Sequence, residues 1–322
     1  MSKLEFLIRA ETPLCQLEQT LGNHGVLMRR KQRLRDGSIS ELPIITADAM
    51  RHGLREIGAM LCLDAAGLTQ REGGPQLTEP ALRLLFTGGM LTGRGDASVL
   101  KIERWRELAD VLPIVSIMGG CADGTMIPGK LHVQDLRLVC AESMHLFPSW
   151  VSEEERNPQM SADFIEHAQR VRFDVTRDPR KNHLLSDGGR AKIEQRLLAK
   201  EAAHEIGEHG DADRGRPMPH TFEAVAMGSL WFWEVYHTGL SELESQTLMM
   251  SLALFFETWR IGGKRGTGHG KISCLKARNV ELPRFERVES DAAITLGPSL
   301  SFRQAMIARA DRLTALLQKV DA

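Results

Sequence analysis

Residues 261–273 read Ile-Gly-Gly-Lys-Arg-Gly-Thr-Gly-His-Gly-Lys-Ile-Ser, so five glycines and three cations share the ten positions Gly262 to Lys271. Phosphate is the ligand this composition suits. Without a Cβ in the way, backbone N–H groups and neighbouring cations can approach an anion closely. The order of elements limits which phosphate it is. A Walker loop or a dinucleotide fingerprint follows a strand and opens a helix. Here an apolar helical run precedes the loop and a strand-like run follows it. Gly266 and Gly270-Lys271 are one residue too close for a P-loop, and Ile272 stands where a magnesium-binding Ser or Thr belongs. A mononucleotide site is therefore disfavoured. Two readings remain: a glycine-rich hairpin, or a cradle for the backbone phosphates of a polynucleotide.

Two further basic segments bear on that choice. Five of the seven residues Arg29–Arg35 are cationic: Arg29, Arg30, Lys31, Arg33 and Arg35. They fall in what reads as a long polar loop between a first strand at Leu4–Ala10 and Pro43. Arg51 and Arg55 are four apart on a helix, which puts them on one face, expected to be exposed. In an α+β fold with two helices on one face of an antiparallel sheet, the loop after the first strand, the start of the first helix and the loop after the second helix converge near one sheet end. The expectation is one basic groove assembled from three distant segments, able to grip successive phosphates.

Enzyme signatures are weak by comparison. His204 and His209 are five apart, so on a helix they lie about 140° apart around the axis and do not share a metal. No Gly-x-Ser-x-Gly elbow is present. Asp36 precedes Gly37 and reads as a turn residue, with acid chemistry in RNA cleavage as the sharper alternative. Trp231 and Trp233 alternate into a core more readily than they stack bases, and Met126 with Ile127 reads either as a hydrophobic loop contact or as a wedge between bases. No catalytic residue, metal or cofactor is expected.

The elements that must position these residues follow from patterning. Met50, Leu54, Ile57 and Leu61 form a helical stripe behind Thr46 or Asp48 as cap. Lys101–Leu112 reads as a helix, Pro113–Gly120 as a buried strand entering a glycine turn, and Gly129–Val139 as one strand. Gly228–Tyr236 reads as a further strand. Ser241-Glu-Leu-Glu244 is a capping box for an apolar helix whose stripe ends at Trp259. Phe302–Val320 reads as a single amphipathic helix. A hydrophobic content of 42% with 26% charged residues suits a soluble globular chain. The net charge of −1 excludes a global basic field, so any polyanion surface must be a local stripe. Five dispersed cysteines without CxxC spacing fit a reducing cytoplasm, and the alternating Met1–Phe6 does not read as a signal peptide.

Several of these stretches resemble a known family. Pro43–Arg55 resembles the segment opening the first helix of RAMP-superfamily CRISPR proteins, and Gly262–Gly270 resembles their C-terminal glycine-rich loop. Thr12-Pro-Leu with the arginine-rich segment after it is similar to the Cas-seven backbone subunits. Gly119-Gly120 with Met126–Lys130, and Met218–Ser229, look most like the type IV (Csf-two) branch. The resemblance implies a modified ferredoxin-like palm, related to the RNA-recognition fold, at residues 1–66, 96–176 and 217–322. It also implies a helical fingers insertion at 67–95 and a projecting thumb at 177–216. Such a subunit holds guide RNA without cutting it. The residues implied for RNA are Arg29, Arg30, Lys31, Arg33, Arg35, Arg51, Arg55, Gly119, Gly120, Met126, Lys130, Arg177, Arg180, Gly263, Lys264, Arg265, Gly266, His269 and Lys271. Implied partners are CRISPR RNA, target nucleic acid paired to it, further copies of the chain in a helical filament, a Cas-five-like subunit, a processing endonuclease and a DinG-type helicase. The alternative within the superfamily is a metal-independent endoribonuclease, for which His24 and His269 are the candidate bases. Asp48 sets an acid at the helix start, where it would repel a phosphate.

Overall fold

The computed structural model describes residues 1–21, 23–70, 77–89, 102–122, 125–155, 158–171, 186–192, 194–195, 198, 219–283 and 300–318. In chain order the elements are β1 (Ser2–Ala10), β2 (Leu17–Leu21), β3 (His24–Leu27), β4 (Arg29–Arg33), β5 (Ile39–Ile45), α1 (Ala47–Ala65), α2 (Glu79–Thr87), α3 (Ile102–Val111), α4 (Pro113–Met118), β6 (Gly119–Ala122), β7 (Thr125–Pro128), β8 (Leu131–Val133), β9 (Leu136–Leu138), α5 (Ser149–Glu154), β10 (Ile165–Val171), β11 (Pro219–Val225), β12 (Leu230–His237), α6 (Glu242–Thr258), β13 (Ile272–Arg278), α7 (Leu300–Ile307) and α8 (Ala310–Leu317). The fold is mixed α+β. Among the described residues no helix is long and apolar enough to cross a membrane.

The chain forms two compact units, one of residues 1–16, 28–164 and 225–322, the other of residues 17–27 and 165–224. The larger unit is built on a seven-stranded sheet with the path β13-β1-β12-β9-β5-β4, antiparallel at every step, and β8 attached to β12. Its central strands are buried on both faces. Trp231, Phe232 and Trp233 are consecutive, yet each is fully buried, which only a doubly covered strand allows. On one face Phe6 lies 5.5 Å from Trp233 and 5.4 Å from Phe256, and Trp233 stacks on Phe255 of α6 at 5.9 Å. On the other, Leu7 and Phe232 pack with Val139, Phe147, Trp150 and Val151. Removing a side chain of this size from water contributes roughly 2–3 kcal/mol. The indole N–H of Trp231 donates to Ser229 Oγ at 2.9 Å and that of Trp233 to the Gln134 carbonyl at 3.0 Å, so neither donor is buried without a partner.

α1 sits over the helical face of this sheet, with Met50, Leu54, Ile57 and Leu61 all buried. It approaches α6 closely because Gly53 lacks a side chain: a Cβ there would collide with the Trp259 indole and with Phe255. Several sequence expectations are revised here. Pro113–Met118 is a helix and not a strand, since Pro113 opens its first turn. Gly129–Val139 divides into β8 and β9. The C-terminal amphipathic run is two helices, with Arg309 as N-cap of the second.

The smaller unit carries a four-stranded sheet ordered β10-β11-β3-β2. In it β11 runs parallel to β3, with Thr221 opposite His24. Most of the segment 177–216 lies outside the described residues.

Candidate nucleic-acid interface

The basic block Arg29–Arg35, read from sequence as loop, begins with strand β4. It pairs with β5 in a hairpin, Arg30 opposite Leu42 and Lys31 opposite Glu41. A charged edge strand suits its position at the rim of the sheet, because long cationic side chains keep an exposed edge in water. Arg30, Lys31, Arg33 and Arg35 are exposed and Arg29 is half-buried. The hairpin turn is closed by Asp36, whose Oδ1 accepts from Ser38 Oγ at 2.7 Å and Ser38 N at 2.9 Å. These two bonds hold the carboxyl below its ordinary range. Asp36 is thus a turn residue, as its Gly37 neighbour indicated.

The start of α1 is next to this strand. Thr46 is the N-cap, its Oγ1 accepting from Ala49 N at 3.3 Å. Gln16 clamps the cap from both sides, donating to Thr46 Oγ1 at 2.8 Å and accepting from Thr46 N at 2.9 Å. Asp135 Oδ1 accepts from Ala47 N at 2.7 Å, and its Oδ2 lies 3.7 Å from Arg30 Nε. The anion position at the helix N-terminus is therefore filled by a protein carboxylate, and Arg30 is tied to it.

Further along α1, His52 meets Trp259 edge-on at 6.4 Å, and Arg265 stacks over the Trp259 ring at 4.9 Å. Ala47, where Arg30 is anchored through Asp135, and His52, beside the platform of Arg265, are separated by about 8 Å along the helix axis. Arg30, through Asp135, and Arg265, through Trp259, thus both reach the N-terminal half of one helix. The segment following β1 joins them. Gly263 N donates to the Cys15 carbonyl, Gly270 N to the Pro13 carbonyl at 3.1 Å and Lys271 N to Thr12 Oγ1 at 2.9 Å, while Met28 N donates to the Gln16 carbonyl at 2.7 Å.

The amides of Ile261, Gly263, Thr267, Gly268, Gly270 and Lys271 all donate within the protein. These six donors are not open to a phosphate. Gly262 and Gly270 have φ of 73° and 92°, and a Cβ on them would collide with the carbonyl oxygens of Cys15 and Ile261 respectively. Gly262 lets the loop press against Cys15, and Gly270 lets the two ends of the loop close on each other. What the loop presents outward is its side chains: Lys264, Arg265 and Lys271 are exposed, with His269 half-buried. A Cβ added at Gly266 would meet nothing within 4 Å, so that side of the loop is open. Trp259 reads from sequence as part of the apolar stripe of α6, and its role as the platform for Arg265 was missed. Its place directly before the cationic loop was the available signal.

Other expected contacts are committed to the protein. Arg51 donates to the carbonyls of Met118 and Leu131. Arg55 is buried, not exposed, and donates to the carbonyls of Leu84 at 3.3 Å, Met118 at 3.2 Å and Gly119 at 3.0 Å. Burial, with Arg51 nearby, pulls its guanidinium down to about 10. Helical spacing put both arginines on one face correctly; α2 and the Met118–Gly119 turn cover that face. Gly119 is needed for packing, since a Cβ on it would collide with the backbone of Ile127 and Gly129, and the Cβ position of Gly120 is 2.7 Å from Leu84. Met126, on β7, is 71% exposed and available to a ligand. Arg177 and Arg180 lie outside the described residues.

Lys130 is likewise engaged. Its Nζ donates to both oxygens of Glu244 at 2.6 and 2.8 Å, and Glu244 also closes the capping box of α6 by accepting from Ser241 N at 2.6 Å. Burial pushes this carboxyl up, but the bonds from Lys130, Ser116 and Ser241 together hold it below its ordinary 4.5. A carboxyl with a depressed folded-state value contributes stability that is complete above 4.5 and lost as pH falls through the folded value. Glu244→Gln is expected to lower unfolding free energy by about 2 kcal/mol at neutral pH, with the gap to the parent closing in acid. Urea titrations across a pH series measure it.

No family model matches this chain, and no curated protein matches it significantly. Among solved structures, a chain of a "Type IV-B CRISPR Complex" superposes on it with a TM-score of 0.55 at 16% identity, covering 92% of this chain and 100% of that one. The two chains share a fold, and the shared fold spans nearly all of both.

Proposed function

We propose that this chain is a non-catalytic, CRISPR-RNA-binding backbone subunit of a CRISPR effector complex, of the RAMP-superfamily Cas-seven type and nearest to the type IV branch. In this reading the seven-stranded sheet with α1 and α6 is a modified ferredoxin-like palm, with fingers at 67–95 and a thumb at 177–216. Copies polymerise along one guide RNA, which then pairs with target nucleic acid in the cytoplasm. Other subunits of the complex, Cas-five-like and processing ones among them, complete the assembly. A near-neutral net charge suits stacked identical copies, because cations confined to one track do not make neighbours repel. Sequence choice is left to base pairing while the protein holds backbone.

The observation that carries this reading is the cationic track. Arg30 on β4 reaches the start of α1 through Asp135 and Arg265 on the glycine loop reaches His52 of α1 through Trp259, while Lys31, Lys264 and Lys271 are exposed in the same compact unit; in this reading they line one track. The fold shared with a chain of a CRISPR complex supports it. Purification from the native host tests it. The expected result is one RNA size class co-purifying with the protein, and reconstituted assemblies whose mass rises stepwise with RNA length. A protein that stays RNA-free and monomeric at every RNA length overturns the reading. Cutting of repeat RNA by the purified protein would instead favour the endoribonuclease alternative.

A further inference from the structure

The smaller unit holds a side-chain cluster unrelated to the cationic track. His24, His167 and Glu223 each offer a ligand atom, and these atoms lie within 4.8 Å of one another. They come from three neighbouring strands, β3, β10 and β11. The register explains why His24 and Glu223 share a face: His24 pairs with Thr221, and Glu223 is two residues along β11, on the same side as Thr221. The two imidazoles are 5.8 Å apart, centroid to centroid.

We propose that His24, His167 and Glu223 form a binding site for a divalent transition-metal ion of the zinc class. Two imidazole nitrogens and a carboxylate oxygen are a donor set that zinc accepts, with a fourth position left for water. Ligand atoms around tetrahedral zinc stand roughly 3.3 Å apart at bond lengths of about 2 Å. Closing from the present spacing takes small rotations of side chains, and His167 is exposed and able to make them.

The surroundings are those of a supported site. His24 Nδ1 lies 2.8 Å from Thr221 Oγ1, so a hydrogen on Nδ1 donated there leaves the Nε2 lone pair for a metal. Glu223 is 9% exposed and accepts from Leu27 N at 2.9 Å through Oε2, which fixes the carboxylate in place. A carboxylate keeps acceptor capacity beyond such bonds. A metal would also tie β10 and β3 to β11 in a unit whose core is small, where metal ligation commonly supplements hydrophobic burial.

The test uses the full-length, tag-free protein stripped with a chelator and titrated with zinc against a chromophoric competitor. One equivalent is expected to bind. His167→Ala, at an exposed position where the fold is spared, is expected to weaken binding at least 10-fold, and Thr221→Val by about 10-fold through loss of imidazole orientation. Circular dichroism confirms that the variants fold. Cobalt substitution distinguishes the ligands: the bound form should lack thiolate charge-transfer absorption. Absence of stoichiometric binding, unchanged affinity in His167→Ala, or a thiolate band pointing to a cysteine ligand would overturn the proposal. None of these readouts involves RNA, so the outcome is separate from that of the RNA-binding reading.

Discussion

Replacing Arg30, Lys31 and Arg265 together with alanine is expected to lower affinity for single-stranded RNA by about 100-fold at moderate salt. Each side chain is exposed in the larger unit, so the change removes phosphate contacts without opening the core. Loss of three contacts should reduce the slope of log affinity against log salt by about 2, since single strands release roughly 0.7 counterion per neutralised phosphate. RNAs of unrelated sequence should be affected alike, because phosphate contacts position the strand and do not read it. Fluorescence anisotropy over a salt series measures both quantities. Arg265→Lys separates charge from stacking: it keeps the cation but loses the planar contact with Trp259. An affinity drop confined to one RNA sequence, or an unchanged salt slope, would remove the track from the proposed function.

Arg55→Ala is expected to cost about 3 kcal/mol of unfolding free energy, more than any exposed arginine of the track. The carbonyls of Leu84 and Gly119 lose this donor and that of Met118 is left with Arg51, and the space under α2 is left unfilled. Arg55→Lys should restore less than half of the loss, since one ammonium on a flexible stem cannot reproduce a planar fork that reaches α2 and the turn at once. Urea unfolding followed by tryptophan fluorescence reads this directly, because Trp231 and Trp233 are buried in the same unit. RNA affinity should fall only as far as the hairpin bearing Met126 shifts. A larger loss of RNA binding in folded Arg55→Ala would mean that the side chain meets the ligand after all.

What was legible in the sequence was whatever a few consecutive residues settle among themselves. The capping box needs only Ser241 and Glu244 one turn apart. The stripe Met50, Leu54, Ile57 and Leu61 needs only helical period. Asp36 beside Gly37 makes its turn with Leu34 and Ser38, all within five residues. Pro113–Met118 misled because a short, wholly buried apolar run looks the same as strand or helix.

Local patterning was enough to say where cations are concentrated, which helices are amphipathic and that a glycine loop follows an apolar helix, because these are properties of neighbouring residues. Which of those cations face outward was settled by long-range packing. Arg51 and Arg55 lie on one helix face as their spacing requires, but α2 and the Met118–Gly119 turn come from elsewhere in the chain to cover it. The same holds for the amides of Gly263, Gly270 and Lys271, taken up by residues 12–15 far away in sequence. It holds too for His24, which stands beside His167 and Glu223 because β3 adds to β11. Burial and hydrogen-bond partnership are set by distant segments, so no local pattern could have assigned them.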